Sequence, residues 1–357
     1  MLLDLPLPTR AALGALVSLA LTLLLVPRLA AAARRRRFGD REGKSDSDTL
    51  NALHQQKRHT PIVGGLGLLG GTLAGSLFAA DLGQPGTWAL LLVLLVLGGL
   101  GLADDWSKTF GQKRTQGLTA RQKLVVQLGL GLALGGGLLW RAQAGGWVDP
   151  AALTTLAVPF TGWGLPLGAV GFVLFSAFLL TGSSNAVNLT DGLDGLAGGC
   201  SLVALATYAV LGALAGDALL AQRFGLELSP GAGEVAVVLS ALAGGVAGFL
   251  VYNRHPARVF MGDTGSLPLG GVLAAAALLV QQELLLALVG GVFVAEALSV
   301  LAQVASFKLT GKRVLRCAPL HHHFEFSGWK EAAIVGRFHA VAILLALGGL
   351  LGLGLTA

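Results

Sequence analysis

Charge is scarce in this chain. Asp, Glu, Lys and Arg together make up 12% of its 357 residues and the mean hydropathy is +0.72. A soluble domain carries about a quarter charged residues, so a surface built to stay in water is excluded. Cysteine is nearly absent, with Cys200 in an apolar run and Cys317 in a basic loop, which excludes a disulfide framework. Polar, flexible linkers are missing too: the 53 glycines sit inside apolar runs such as Gly64–Gly75 and Gly129–Gly137, where small residues let helices approach closely. No basic cluster precedes the first apolar run. Arg34–Arg37 follows it instead, the reverse of a secretory signal, so Ala11–Ala33 reads as a retained first span with its N-terminus outside. No strand precedes Gly65, Gly67 and Gly70, so this G-x-G-x-x-G reads as helix packing and not as a dinucleotide loop.

What the chain has is apolar length. Ten segments stand out: Ala11–Ala33, Ile62–Ala80, Trp88–Ala103, Leu124–Leu139, Gly168–Ser184, Leu196–Ala215, Glu234–Tyr252, Leu267–Val280, Leu284–Ser306 and Ile334–Leu355. Each approaches the roughly 17–25 residues that cross a bilayer. The expected fold is all-α, a polytopic integral membrane protein of about ten transmembrane helices forming one catalytic domain over 1–357. Leu267–Val280 is the shortest and follows Gly262–Pro268, so part of that span is expected to be non-helical where it lines a cavity. The stretch Arg141–Leu167, with three prolines, is expected to hold a small hairpin.

Charge sets the orientation. Of 25 Lys and Arg, all but Arg10, Arg141 and Arg223 fall on the side reached after the odd-numbered spans. The basic side is expected to face the cytoplasm and both termini the periplasm. The net charge of +6 then reflects topology and calls for no nucleic acid; the partner it implies is the bilayer.

The acids fall on that same side. Asp104, Asp105, Asp191, Asp194 and Asp263 all sit at the ends of apolar runs, where ionisable residues are functional candidates by default. Adjacent helical residues point about 100° apart, so Asp104 and Asp105 are expected not to share one position: one would meet a reactant or metal, the other would anchor neighbours. Lys108 lies on the Asp104 face, which is also the spacing of an ordinary helix ion pair. Asn188, Asp191 and Asp194 recur at three-residue steps and are expected on one helical face, with Asn185 a turn before. Such oxygen-rich groups suit Mg²⁺. Around Asp263, small residues would let backbone amides approach a phosphate, although Gly262–Ser266 also reads as a simple capped turn. His321, His322 and His323 are expected to diverge along a loop and to contact an anionic or peptide-bearing substrate beside Lys312, Arg313 and Arg316. Zinc on Cys317 and histidines lacks the usual ligand spacings. Glu296, inside a span, is either a packed acid or the lining of a lipid groove.

Five runs carry a resemblance: Gly101-Leu-Ala-Asp104-Asp105-Trp, Gly117-Leu-Thr-Ala-Arg-Gln-Lys123, Asn188-Leu-Thr-Asp191-Gly-Leu-Asp194-Gly-Leu-Ala, Phe260-Met-Gly-Asp263-Thr-Gly-Ser-Leu and Pro319-Leu-His321-His322-His323-Phe-Glu325. In this order they resemble the phospho-N-acetylmuramoyl-pentapeptide transferases, within the polyprenyl-phosphate N-acetylhexosamine-1-phosphate transferases. The histidine run with Gly328-Trp329 and Glu331 looks like the muramoyl-pentapeptide branch. The resemblance implies a bacterial inner-membrane enzyme of peptidoglycan synthesis that uses Mg²⁺, with UDP-MurNAc-pentapeptide as donor, undecaprenyl phosphate as acceptor and UMP as leaving group. By motif it makes Asp263 the metal ligand and Asp104 and Asp105 essential acids, with Asp104 the base or nucleophile. It assigns Lys57, Asn188, Asp191, Asp194, Asn253 and Phe260 to the nucleotide, Phe260 by stacking. His321, the fourth catalytic candidate, and His322 and His323 would meet the muramoyl-peptide side. Asn185, Lys108 and Lys123 complete the expected substrate contacts. Lys57-Arg-His-Thr-Pro-Ile-Val-Gly-Gly departs from the family's Lys-Lys-Gly-Thr-Pro-Thr-Met-Gly-Gly, and Thr115 stands where Asn is frequent. A homodimer is left open.

The mechanism expected is direct attack of the lipid phosphate on the donor, because a phosphate monoester is largely dianionic at neutral pH and positioning dominates phosphoryl transfer. The alternatives are a covalent Asp104 intermediate, a GlcNAc-1-phosphate transferase, and, from another class, a transporter with broken helices and midplane acids. Acids gathered at one face argue against the last.

Overall fold

The computed structural model describes residues 2–35, 60–110, 117–145 and 147–353. Almost everything described is helix: α1 (Leu7–Arg35), α2 (Gly64–Ala79), α3 (Pro85–Phe110), α4 (Ala120–Gln143), α5 (Pro150–Leu153), α6 (Gly168–Thr190), α7 (Leu196–Ala215), α8 (Ala218–Arg223), α9 (Ala232–Asn253), α10 (Asp263–Leu279), α11 (Glu283–Val289), α12 (Gly291–Thr310), α13 (Leu320–Glu325) and α14 (Glu331–Leu353). Eight of these are long and apolar enough to cross a membrane, and α2 and α10 are shorter apolar helices. The chain is an all-α polytopic membrane protein, and the ten expected segments each map onto this set. The expected hairpin is the antiparallel pair β1 (Thr155–Ala157) and β2 (Gly164–Pro166), with Leu156 opposite Leu165.

Two elements differ from expectation. The ninth segment is broken: α11 stops and α12 starts at Gly290 and Gly291, a glycine pair that carries no side chain to hold one continuous helix. The eighth is helical from Asp263 onward, with Pro268 inside it. It needs no irregular stretch because the side chain of Asp105 supplies the acceptors for its first amides, as described below.

Helix α10 is the axis of the fold. Every residue from Thr264 to Leu279 is buried, and a helix apolar all round belongs at the centre of a bundle. It packs against α3, α6, α2 and α7. Around it, α1, α2 and α9 form a tight trio. Gly67, Gly71 and Gly75 repeat every four residues on one face of α2, and a Cβ on them would strike Val26, Thr22 and Ser18, which repeat every four residues on α1. That stripe is the use of the glycine run, as expected. At the far end Arg10 donates to the Ala79 carbonyl and pairs with buried Glu234, whose carboxylate also accepts from the Asp81 amide at 2.7 Å. The exposed surface of the spanning helices is apolar, with Trp88, Trp140, Phe178 and Leu309 among its large residues, as a lipid-facing belt requires.

Candidate functional site

The site forms where α3 crosses the start of α10. Gly101 permits the crossing: a Cβ there would stand 2.1 Å from the Asp263 carbonyl oxygen. One turn on, Asp105 reaches the N-terminus of α10 and accepts from the Asp263 amide (3.2 Å), the Thr264 amide (2.9 Å) and the Thr264 hydroxyl (2.7 Å). These are amides a helix start leaves without an internal partner. Gly262 just before has φ 70 and ψ 178, and a Cβ on it would lie 2.5 Å from Asp105 Oδ2, so only glycine satisfies both demands.

Asp104 faces the other way and is fully buried. Its Oδ1 accepts from the Leu118 amide at 2.7 Å; its Oδ2 lies 2.5 Å from Lys108 Nζ and 2.9 Å from Lys123 Nζ. Lys123 also reaches Asp263 Oδ2 at 2.7 Å, with Lys108 at 3.5 Å. Lys123 is delivered by α4, whose start is fixed by a reciprocal Thr119–Gln122 capping box. Asn188, near the end of α6, donates one amide to both Asp263 Oδ1 (2.9 Å) and Ser266 Oγ (2.8 Å). Asp104, Asp105, Asp263, Lys108, Lys123 and Asn188 are thus one connected polar cluster from four helices. Asp105 does the anchoring expected of one of the two adjacent acids, but the two are not fully separated: one oxygen each of Asp104, Asp105 and Asp263 lie within 4.8 Å of one another. Side chains 100° apart still converge on an object lying between them, here the first turn of α10.

Other expected positions lie elsewhere. Asn185 donates to Gln127 and to the Thr181 carbonyl, and Gln127 donates to Ser184, making a polar contact between α4 and α6 one turn from Asn188. The single helical face expected for Asn188, Asp191 and Asp194 does not exist. Helix α6 ends at Thr190, Asp191 is its C-cap, and Asp194 lies in the turn that Gly195 closes at φ 79. Asp194 Oδ2 accepts from the Ala257 amide (3.0 Å) and lies 3.1 Å from His255 Nδ1, while its amide donates to Glu331 (2.7 Å). Asn253 bridges the same turn, accepting from the Gly195 amide and donating to the Val259 carbonyl. The backbone of Phe260 pairs with Pro61 and Gly64, joining the start of α2 to this region. Beside Asp194 a cavity of about 510 Å³ runs between α9 and α14, lined by Leu250, Arg254, His255, Val335 and His339. Lys57, His59 and Gln112–Gln116 lie outside the described residues.

The histidines are on the short helix α13 and not in an open loop, because Pro319 opens it and Trp329 and Ser327 close back on it. The divergence expected of them is only partial: the His321 and His322 rings meet edge to face with centroids 4.1 Å apart, although each of the three has a different partner. His321 meets Glu296, His322 meets Glu325 at 2.6 Å, and His323 Nδ1 accepts from the Arg316 amide. Behind them Phe324 stacks on Trp329, and Arg337 covers that indole at 4.0 Å. Cys317 donates weakly to the Ala318 carbonyl, and burial pushes its thiol up, away from the thiolate a zinc site needs. Sequence reasoning gives no role to Gln127. It offers the Ser and Thr of Gly262–Ser266 as caps of the next helix; in the structure Thr264 donates to Asp105, and Ser266 accepts from Asn188 and donates to the Gly262 carbonyl.

The acid cluster can hold a divalent cation. Its donors are carboxylate oxygens suited to a hard ion, and a positive charge already sits among them: the Lys123 ammonium, within 2.9 Å of both Asp104 Oδ2 and Asp263 Oδ2. A second group, Asp194, His255 and Glu331, also brings three ligand atoms within 4.8 Å.

Residues 87–281, more than half of the chain and the whole stretch from α3 to the end of α10, match the family described as Glycosyl transferase family 4. The chain belongs to that family. It is a transferase that moves a phospho-sugar from a nucleotide-sugar donor to a polyprenyl phosphate in the membrane.

Proposed function

We propose that this transferase moves phospho-MurNAc-pentapeptide from UDP-MurNAc-pentapeptide to undecaprenyl phosphate, releasing UMP, with Mg²⁺ as its ion and with the acid cluster facing the bacterial cytoplasm. The observation that carries the reading is the buried Asp104–Lys123–Asp263 arrangement, in which two carboxylates and two ammonium groups share one point. Two phosphates must meet for this reaction, and their repulsion is the main obstacle; fixed positive charge aimed at the transferring group is the remedy. Bound Mg²⁺, held by Asp263 with Asp104 beside it, would supply neutralisation of the charge on the phosphate of the departing UMP as the donor's P–O–P bond breaks. Lys108 and Lys123 would then turn from the carboxylates toward substrate phosphate. Asn188 holds Asp263 in orientation through its 2.9 Å bond, and Asp105 keeps the start of α10 fixed. The acceptor phosphate arrives largely dianionic, so no general base is required and Asp104 serves as an electrostatic and positioning group.

The muramoyl-peptide part of the reading rests on α13 and the loop before it, outside the family match, where His322 and His323 of the helix and Lys312, Arg313 and Arg316 of the loop offer donors to an acidic peptide. The test is purified protein in detergent with undecaprenyl phosphate and either UDP-MurNAc-pentapeptide or UDP-GlcNAc, following UMP release with and without Mg²⁺. A strong preference for the muramoyl donor and loss of turnover with chelator are expected. Preference for UDP-GlcNAc would replace this substrate with the simpler sugar, and uptake without chemistry would refute the enzyme.

A further inference from the structure

Glu296 is an acid inside a span, fully buried, and the reaction described above gives it nothing to do. Its carboxylate serves one residue. Oε1 accepts from the His321 amide at 3.2 Å, and Oε2 lies 3.1 Å from His321 Nδ1. A carboxylate opposite Nδ1 requires that nitrogen to carry hydrogen, so in the neutral ring Nε2 is the bare acceptor. This Nε2 is buried and has no hydrogen-bond partner among the described residues. It rests on Gly192, where a Cβ would come within 2.2 Å. Leaving a buried polar atom unpaired costs about 1–3 kcal/mol, a cost that a phenyl ring of similar shape would avoid. Gly192 belongs to the turn between α6 and α7 that carries Asp191 and Asp194, and the His321 ring of α13 lies directly against it.

We propose that Glu296 is a positioning residue for the transfer reaction. It fixes the tautomer and direction of His321 so that Nε2 is held as a hydrogen-bond acceptor against the 191–195 turn. The group it awaits is an O–H or N–H donor of the nucleotide-linked sugar, admitted when that turn shifts on binding. Gly192 is the spacer that lets the ring lie there. The kinetic part rests on the function proposed above; the tautomer part does not.

The test has two readouts on the full chain in detergent. Nitrogen-15 spectra of histidine-labelled protein, with the His321 signals assigned by their loss in His321→Gln, are expected to show protonated Nδ1 and bare Nε2 without any substrate. In Glu296→Leu the ring is expected to revert to the Nε2–H form. In kinetics, Glu296→Leu is expected to lower kcat about tenfold or more with little change in KM, while Glu296→Leu combined with His321→Gln is no slower than His321→Gln alone. A residue that acts through its neighbour gives this non-additive cycle. If the leucine variant does not fold, the isosteric Glu296→Gln replaces it, and an intermediate kcat with His321-dependent loss is expected. An Nε2–H ring in the wild type, or losses that add in the double variant, overturns the proposal. A wild type without transfer activity would refute the function and leave the tautomer result to decide this inference by itself.

Discussion

At the scale of single residues, the two adjacent acids are separable by experiment. Asp105 accepts three hydrogen bonds at the start of α10, two of them from backbone amides. Asp105→Asn turns one acceptor into a donor facing those amides and strands at least one of them, at about 1–3 kcal/mol. Its thermal midpoint and its activity should fall together. Asp104→Asn keeps that cap and removes the charge between two lysines, so turnover should fall with the midpoint much less affected; parallel melts and UMP assays read the contrast, and equal destabilisation would reject it. Lys123 offers a sharper case. Its ammonium occupies the point between Asp104 and Asp263 that the proposed divalent ion would take, so on that proposal it would compete with metal in the free enzyme and assist it in turnover. Lys123→Gln should lower the Mg²⁺ needed for half-saturation while reducing kcat about 10²-fold or more. A variant whose Mg²⁺ curve does not move would show that metal and ammonium use different places. Most of these residues were legible in the sequence by type, because acids and lysines at the ends of apolar runs are costly there. Their pairings were not, since Lys123 and Asp263 are 140 positions apart and no local pattern links them.

At the scale of elements, the site depends on how closely α3 can approach α10. A methyl group at Gly101 would meet the backbone oxygen of Asp263 at 2.1 Å, and backbone cannot rotate aside as a side chain can. Gly101→Ala should therefore push Asp104 and Asp105 away from Asp263, costing both activity and thermal stability. Gly99, two residues earlier on the same helix, has nothing within 4 Å of an added Cβ. Gly99→Ala should be neutral or slightly stabilising, because alanine favours helix over glycine. If both variants behaved alike, the crossing would not be the controlling contact. The same scale shows where a sequence reading stops. The three-residue steps of Asn188, Asp191 and Asp194 fit one helical face, yet the chain leaves α6 at Asp191. Gly192 and Gly195 were the available warning, as glycines at a helix end usually are. What decides the exit is tertiary: the ring of His321 lies over Gly192, and Asp194 is drawn toward Ala257, His255 and Glu331. The break at Gly290 was equally hidden, because an apolar run reads the same whether or not it is continuous.

At the scale of the whole molecule, the distribution of charge makes a prediction that the geometry sharpens. The acid cluster, α13 and the exposed end of α12 with Lys308 share one face. Arg10, Glu234, the β1–β2 hairpin and the last described turn of α14, where Gly352 meets Phe160, share the opposite one. Helices long enough to span connect the two faces, so one residue of known side fixes all the others. Excess Lys and Arg lies with the acid cluster among the described residues, so the charge rule predicts that this face is the cytoplasmic one. Two exposed positions report on it: Trp163 in the hairpin, 78% exposed, and Val314 in the basic loop, 64% exposed. With Cys317→Ser to remove the accessible thiol, and with Cys200 buried, Trp163→Cys should react with a membrane-impermeant maleimide in intact cells. Val314→Cys should react only after the membrane is opened. The reverse pattern would put the Asp104–Asp263 cluster on the outside, away from the cytoplasmic nucleotide-linked donor, and the donor reading would fall even though the fold and the cluster geometry stayed as they are.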